Sequence, residues 1–600
     1  MPTPFTTPEL LVIGIIIGLF VLIFGTRLQI EIIAVIVLLS VTLTGLVSPE
    51  TAISGFGSSV VLTLIGLFII TFALERTGVV QWIANQMNNV GGGSELKLIT
   101  LFMVVGALLS LIMNNVAAGA VLLPAAVRVA RESDVPVSKL LMPMSFGTLV
   151  GGMATYLTTA NILMSELLIA RDFQGLNMLD FLPVGAIVVL AGVVYMLLFG
   201  RHLLPTTDTD DNPNRQTDLE AMYSLRNVQW HIKVNTNSAL AHTSIKSCAI
   251  NAKLGLTIAA IWRKNQTITI PKSDQIILPD DELLVIGQED RIQQLLTWGN
   301  TLIKREDILP RRKEIPIEPI EIMIAPRSNA EGQTLSDVTL NRDLGLLALA
   351  LWRDGYSFTT DVRKIPLEVG DAVLVIGESD DIQALANHPD YILPTGAYAN
   401  RAMNTAKAPL AVLITAVVLS LGIFNIVSLP IAMLAGAVSM VVFGAITMEQ
   451  FYEAISWRVI FLVAGMLPLS FAITDSGLAE RVGGVFVSFL AESNPIFLVA
   501  GMIILTMLVV QIIGGQVSAL LVGPIAINAA LQVGIDPRAM AIAVAMSCSM
   551  AFLTPIAHPV NILMMGPGNY AFGDFTRVGI GMTIVTMIAM LIGLMLILGI

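Results

Sequence analysis

Charge, cysteine and histidine are all scarce in this chain. Only 13% of its 600 residues are Lys, Arg, Asp or Glu, five are histidine and two are cysteine. Two thiols, Cys248 and Cys548, cannot make a disulfide framework, and their spacing matches no metal site, so both read as small buried side chains. The net charge of −11 comes with no basic stripe, which excludes a nucleic-acid surface. The N-terminal stretch "MPTPFTTPELLVIGIIIGLFVLIFG" lacks the basic region and the small-residue cleavage site of a signal peptide, so it reads as a retained span. No G-x-G-x-x-G follows a strand, so no phosphate loop and no ATPase is expected. What the chain has is apolar mass: 55% of its residues are hydrophobic and the mean hydropathy is +0.79. Such a composition predicts an α-helical polytopic membrane protein and no enzyme.

The little charge present is unevenly placed. Nearly two-thirds of it lies between Arg201 and Lys407, which predicts a water-soluble insertion. The flanking membrane parts repeat each other. "NILM" occurs at 161–164 and again at 561–564, Pro124 falls on Pro524, and with one residue of adjustment Gly45 meets Gly444 and "FALERTG" (72–78) meets "FAITDSG" (471–477). After a six-residue deletion "DFLPVG" from Asp180 meets "DFTRVG" from Asp574. Two homologous halves follow, residues 1–204 and 401–600, with an insertion that itself divides into 205–305 and 306–400.

Apolar runs in the first half lie near 9–26, 28–47, 57–75, 97–131, 138–169 and 181–200. The fourth carries Asn114 and Asn115 at its middle, which suits a re-entrant hairpin and leaves five crossings. An odd number turns the second half upside down, giving an inverted repeat. Arg27, Arg76, Lys97, Arg128, Arg131, Lys139 and Arg201 share one side and Arg171 the other, which predicts a cytoplasmic insertion and exterior termini in a plasma (inner) membrane.

Chemistry is expected where helices must break. The hairpin tips read "LIMNNVAAGAVLLP" and "IIGGQVSALLVGP"; the fifth-helix interruptions read "GTLVGGMATYLTTANILM" and "CSMAFLTPIAHPVNILM". Broken helices offer N–H groups to an anion and carbonyls to a cation. Asn115, Thr155, Thr159, Asn161, Gln516, Thr554 and Asn561 add hard oxygen for sodium or donors for an oxyanion. Each alone also suits helix-packing glue; their joint occurrence at matched positions of two halves points to a transport site. His558 is open between an anion donor, a pH sensor and a structural imidazole. Glu50, Glu75 and Asp475, near predicted helix ends, read as interface charges.

With these motifs the chain resembles the divalent anion and sodium symporters of the ion transporter superfamily, also called the sodium/sulfate and dicarboxylate symporter family. In that family each tip carries Ser-Asn-Thr with the Asn nine residues before a proline. Here Asn115 keeps that spacing to Pro124, Asn114 takes the Ser position and Val116 the Thr position. At the second tip Gly515 stands at the Asn position and Gln516 at the Thr position, a departure from the family. The resemblance implies substrate and ion contacts at Asn114, Asn115, Val116, Gly151, Gly152, Thr155, Thr158, Thr159 and Asn161 in one half. In the other it implies Gly514, Gly515, Gln516, Ser518, Thr554, Pro555, Ala557, His558 and Asn561. Sodium is implied at Asn115, Asn161, Gly515, Thr554 and Asn561. Because Gly515 offers only backbone, the second site is expected to bind sodium more weakly or to use Gln516, and Gly515→Asn to tighten it.

The insertion repeats internally at an offset of about 90: "PDDELLVIGQEDRIQQL" from Pro279 parallels "EVGDAVLVIGESDDIQAL" from Glu368, and Trp262-Arg263 parallels Trp352-Arg353. An α/β sandwich is expected, with a short helix before each Trp-Arg strand and another after each "VIG" strand. These copies resemble TrkA-C domains, which implies regulation, with a nucleotide ligand and a bare packing module both open. The function so implied is sodium-coupled symport of a divalent oxyanion, sulfate first, by an elevator-type homodimer among membrane lipids. No cofactor is expected beyond sodium as the coupling ion. A dicarboxylate is the alternative substrate. A potassium channel or cation antiporter is the rival from another class, and it lacks a T-V-G-Y-G-like filter or a carboxylate in the hairpins. A receptor that binds the anion without moving it is a third.

Overall fold

The computed structural model of the chain describes all residues except 1–3, 27, 81, 84–93, 134, 207–228, 249, 264–265, 270, 273, 287–288, 303–319, 325–327, 336–345, 354–355, 359–361, 369, 377–389, 393–404, 491–494 and 600. Two compact units result: Met1–Thr206 with Met403–Met564 and Phe572–Ile600, and Thr207–Ala402 with Met565–Ala571.

In the first unit, the opening half runs α1 (Thr7–Gly25), α2 (Ile30–Leu43), α3 (Pro49–Ser54), α4 (Ser59–Arg76), α5 (Glu95–Ser110), α6 (Asn115–Glu132), α7 (Ser138–Met153), α8 (Thr159–Ile169) and α9 (Leu182–Tyr195). The closing half runs α10 (Ala408–Ile423), α11 (Leu429–Val442), α12 (Met448–Ala454), α13 (Trp457–Asp475), α14 (Leu478–Leu490), α15 (Pro495–Ile513), α16 (Gly515–Val533), α17 (Pro537–Ser547), α18 (Pro559–Met565) and α19 (Phe572–Leu598). Among the described residues, eight helices are long and apolar enough to cross a membrane, so the chain is a multi-pass membrane protein. Ile580, Ile584, Ile588 and Ile592 leave an exposed row along α19, the lipid-facing stripe that i, i+4 spacing produces.

Local chemistry repeats along with the sequence. Ser48 caps α3 and Thr447 caps α12, each through its hydroxyl to a backbone N–H three residues on. Helices α2 and α11 stop at Gly45 and Gly444, and α4 and α13 at Gly78 and Gly477, all four with φ between +71° and +84°. Glycine enters that left-handed region at no steric cost, so the matched glycines are matched helix stops.

The halves then cross each other symmetrically. Helix α4 packs on α11, and α13 packs on α2. A Cβ on Gly66 would lie 2.6 Å from the Met433 backbone, and one on Gly465 would lie 2.9 Å from the Ala34 backbone. Gly66 and Gly465 are repeat mates, as are Ala34 and Met433, so one close crossing is made twice about a pseudo-twofold axis. Gly66→Leu is therefore expected to force α4 off α11 at a cost of about 1–3 kcal/mol or more. The check is size-exclusion yield of folded protein; a yield and melting temperature equal to the parent's would show that the crossing has slack.

The second unit holds two five-stranded antiparallel sheets. The first is built from β1 (Gln229–Val234), β2 (Thr257–Arg263), β3 (Gln266–Thr269), β4 (Glu282–Ile286) and β5 (Asn300–Leu302) in the order β3-β2-β4-β1-β5. The second uses β6 (Ile320–Ile324), β7 (Leu347–Arg353), β8 (Tyr356–Phe358), β9 (Ala372–Ile376) and β10 (Tyr391–Ile392) in the same order read backwards, β10-β6-β9-β7-β8. Irregularities in register fall between Ile258 and Ala260 in one copy and between Ala348 and Ala350 in the other. In the first copy, helices Ile245–Cys248 and Ile250–Leu254 precede the Trp-Arg strand and Glu289–Leu296 follows the "VIG" strand. The corresponding stretches of the second copy, 336–345 and 377–389, lie outside the described residues.

Each Trp-Arg strand ends on an ion pair. Arg263 Nε and Nη2 donate to Asp281 at 2.9 and 2.7 Å, and Arg353 Nε donates to Asp371 at 2.7 Å. Asp281 and Asp371 are buried, and the bidentate contact holds the Arg263 guanidinium above its ordinary pKa. Beyond their separate cores the sheets share an apolar cluster, with Ala259 and Ile286 from the first and Leu347, Leu349, Leu374 and Ile376 from the second. The two copies thus cover each other's apolar face within one chain.

Candidate functional site

The sequence motifs fall where helices stop and restart. The first tip is the stretch 111–114 between α5 and α6, and the second is the single residue Gly514 between α15 and α16. Gly514 has φ +78° and ψ 166°, a conformation that suits glycine, and this sharp reversal replaces a four-residue turn. The fifth helices are interrupted at 154–158 between α7 and α8, and at 548–558 between α17 and α18, the latter holding a 3-10 turn at Pro555–Ala557. Matched glycines press on both interruptions. A Cβ on Gly185 would stand 2.3 Å from Ala154, and one on its repeat mate Gly579 would stand 2.1 Å from the Phe552 carbonyl oxygen.

In the first half the tip is stitched to the interruption. Thr155 Oγ1 donates to the Leu111 carbonyl at 2.9 Å and accepts the Leu157 N–H at 3.2 Å. Asn114 caps α6, its Oδ1 taking the Val116 N–H at 2.9 Å, so that oxygen is occupied. Asn115, 6% exposed, lies against Gly152, where an added Cβ would meet its Oδ1 at 2.7 Å. Gly151 is equally tight, since a Cβ there would lie 2.3 Å from the Ala107 carbonyl oxygen. Asn161 Nδ2 donates to the carbonyls of Thr155 at 2.5 Å and Gly152 at 3.3 Å. Three oxygens around this break are buried without a hydrogen-bond partner: Asn115 Oδ1, Thr158 Oγ1 and Asn161 Oδ1. Thr159 follows as the first residue of α8.

The second half shares the plan and differs in detail. Asn561 Nδ2 donates to the Ala551 carbonyl at 2.7 Å and reaches that of Thr554 at 3.5 Å, much as its mate Asn161 does. Its Oδ1, however, accepts the Ser145 hydroxyl at 2.5 Å. Ser145 comes from α7 of the other half, and at the 400-residue offset its mate is Ala545, which has no hydroxyl to give Asn161. That single exchange leaves one asparagine oxygen satisfied and the other bare. Thr554 Oγ1 is buried and unpartnered, Ser518 Oγ donates to the Gly514 carbonyl at 2.7 Å, and Gln516 is half-buried. His558 Nδ1 accepts the Val560 N–H at 3.2 Å, so the neutral ring carries its proton on Nε2 and presents a donor there.

One expectation fails on geometry. A Cβ on Gly515 would lie 2.5 Å from the Cys548 carbonyl oxygen, so α16 sits directly on the broken helix and leaves no room for a side chain at that position. Glycine there is a packing requirement, and Gly515→Asn cannot simply add an oxygen. Two residues that sequence reasoning passed over matter here, Ser145 and Gln511. Gln511 was the more detectable, as a lone amide in the otherwise apolar helix α15.

Buried acceptors with nothing to accept are costly unless a bound group completes them. The donor set is amide, hydroxyl and carbonyl oxygen, and among the described residues no three His, Cys, Asp or Glu gather to hold a metal. Neutral hard oxygen suits an alkali cation, and helix N-termini at the breaks suit an anion. Comparison with known proteins agrees in class. A transporter of Synechocystis, sll0640, is 28% identical over 98% of this chain and 97% of its own. A putative sulfur deprivation response regulator of Chlamydomonas reinhardtii is 25% identical over 90% of this chain and 93% of its own. Sodium/sulfate cotransporter 2 of that alga is 23% identical over 55% of this chain and 38% of its own. The family model described as citrate transporter matches residues 20–545, and with two broken-helix halves already in view, the chain belongs to the citrate transporter family, CitMHS.

Proposed function

We propose that the chain is a sodium-coupled symporter that brings a divalent oxyanion, sulfate foremost, across the membrane. The observation that carries this reading is the set of buried, unpartnered neutral oxygens at two matched helix breaks, Asn115, Thr158 and Asn161 in one half and Thr554 in the other. A cation bound there leaves its positive charge beside helix N-termini, and both favour an anion between the halves. His558 Nε2–H adds a neutral donor to that anion. Charge neutralisation by the cation explains how a doubly charged anion enters a site with no fixed positive side chain among the residues named.

The halves work as an elevator in a plasma (inner) membrane homodimer, and the insertion, cytoplasmic and TrkA-C-like, regulates them. A carboxylate substrate is the second reading, favoured by the family description and by the same paired-oxygen chemistry. Uptake of labelled sulfate into proteoliposomes, with sodium or choline outside, tests both. Sodium is expected to stimulate sulfate uptake at least about tenfold, which corresponds to about 1.4 kcal/mol of coupling. Citrate or succinate uptake with no sulfate uptake would transfer the reading to carboxylates; sodium-independent uptake of every anion would overturn the coupling.

A further inference from the structure

We infer that Gln511 supplies the carboxamide oxygen of a second alkali-cation site, in place of the asparagine that the second tip lacks. This rests on the reading of sodium as coupling ion and goes beyond it, because neither the tip motif nor the repeat alignment picks out Gln511.

Gln511 lies in the last turn of α15, four residues before Gly515. Its Nε2 donates to the Met550 carbonyl at 2.8 Å and reaches that of Met507 at 3.3 Å. Two carbonyl acceptors on one side fix which end of the amide is nitrogen, since the flipped amide would set oxygen against oxygen. Oε1 must then point the other way, and there it is buried with no hydrogen-bond partner. Met550 lies within the interruption of the fifth helix, two residues after Cys548, and Thr554, whose Oγ1 is also buried and unpartnered, lies four residues further along that stretch. The amide is therefore anchored to the same break that carries the other bare oxygen.

The first half shows the complementary choice. At the 400-residue offset Leu111 stands where Gln511 does, and Asn115 where Gly515 does. Each hairpin thus brings a carboxamide with a bare, buried oxygen to its break, from the restarting helix in one half and from the ending helix in the other. The longer glutamine reaches from one turn further back. Gly515, which must stay bare to sit on the Cys548 carbonyl, is relieved of the ligand role without loss of an oxygen.

The test titrates sodium chloride against choline chloride at constant ionic strength and reads the melting temperature of the purified full-length protein, with proteoliposome uptake as a second readout. Gln511→Leu is expected to raise the sodium concentration for half-maximal stabilisation at least about fivefold, as loss of one ligand to a cation implies. Gln511→Glu, which keeps the oxygen and adds charge, is expected to lower it by about threefold or more. A sodium response in the parent that neither substitution moves would overturn the inference while leaving coupling intact. Should the leucine variant fail to fold, the glutamate variant decides alone, and an unchanged half-point overturns the inference. Sodium-dependent stabilisation that Gln511→Leu weakens, together with sodium-independent uptake, would uphold the site and overturn the coupling reading. A parent that responds to sodium in neither readout overturns both.

Discussion

Asn115→Ala is expected to abolish sodium-stimulated uptake while the protein folds as before. The two halves of that expectation come from one atom. Asn115 Oδ1 is buried and has no hydrogen-bond partner, so its removal takes away an unsatisfied acceptor and breaks no bond that the oxygen makes in the chain. The truncation leaves a small void against Gly152. The ion, by contrast, loses a full carboxamide ligand. Hydrogen bonds and contacts to charged groups are worth about 1.5–3 kcal/mol, which places the rise in half-saturating sodium at about tenfold or above. The informative comparison is the melting temperature without and with sodium. Without sodium the variant should match or slightly exceed the parent, and the increment that sodium adds, set by the ratio of its concentration to the dissociation constant, should fall away. A variant that is unstable in both conditions would mean that Asn115 is structural packing; normal sodium-dependent uptake would remove it from the ion site altogether.

The repeat was legible because the physics that stops a helix is local. Gly45 with Gly444 and Gly78 with Gly477 match between the halves in sequence, and the structure puts positive φ at all four. The hairpin tips and the fifth-helix breaks were legible for a similar reason, since Asn, Gly and Pro gather in the middle of apolar runs at matched positions of both halves. The ion pairs of the insertion followed the Trp-Arg repeat with their 90-residue spacing, and the sheet order repeated with them. What escaped was chemistry that depends on a partner from elsewhere in the chain. Ser145 satisfies Asn561 from 416 residues away, and nothing in either local sequence says so. Gln511 escaped because the family motif directs attention to the tip itself, whereas its amide reaches the break from the previous turn.

Gly515→Asn, which from sequence alone restores a missing sodium ligand, is expected to cost the protein its second hairpin. Every side chain begins with Cβ, and at this position a Cβ stands 2.5 Å from the Cys548 carbonyl oxygen and 3.4 Å from the Cys548 Cβ. The obstacle is backbone of the broken helix, which no rotamer change removes. Helix α16 would have to lift away from the start of the interruption, carrying Gly514 and the N-terminal turn with it, and overpacking of that kind costs about 1–3 kcal/mol or more. Because the steric fault lies at Cβ, alanine should be nearly as harmful as asparagine. That equality separates the two accounts of the glycine. If the tip merely lacked an oxygen, Gly515→Asn would improve sodium activation and Gly515→Ala would leave it unchanged. If the tip needs the absence of a side chain, both variants should lose uptake and melt below the parent, and adding sodium should rescue neither. Side-by-side melting curves and uptake rates for the pair decide it, and a tighter sodium dependence in the asparagine variant would show that α16 can retreat from Cys548 at little cost.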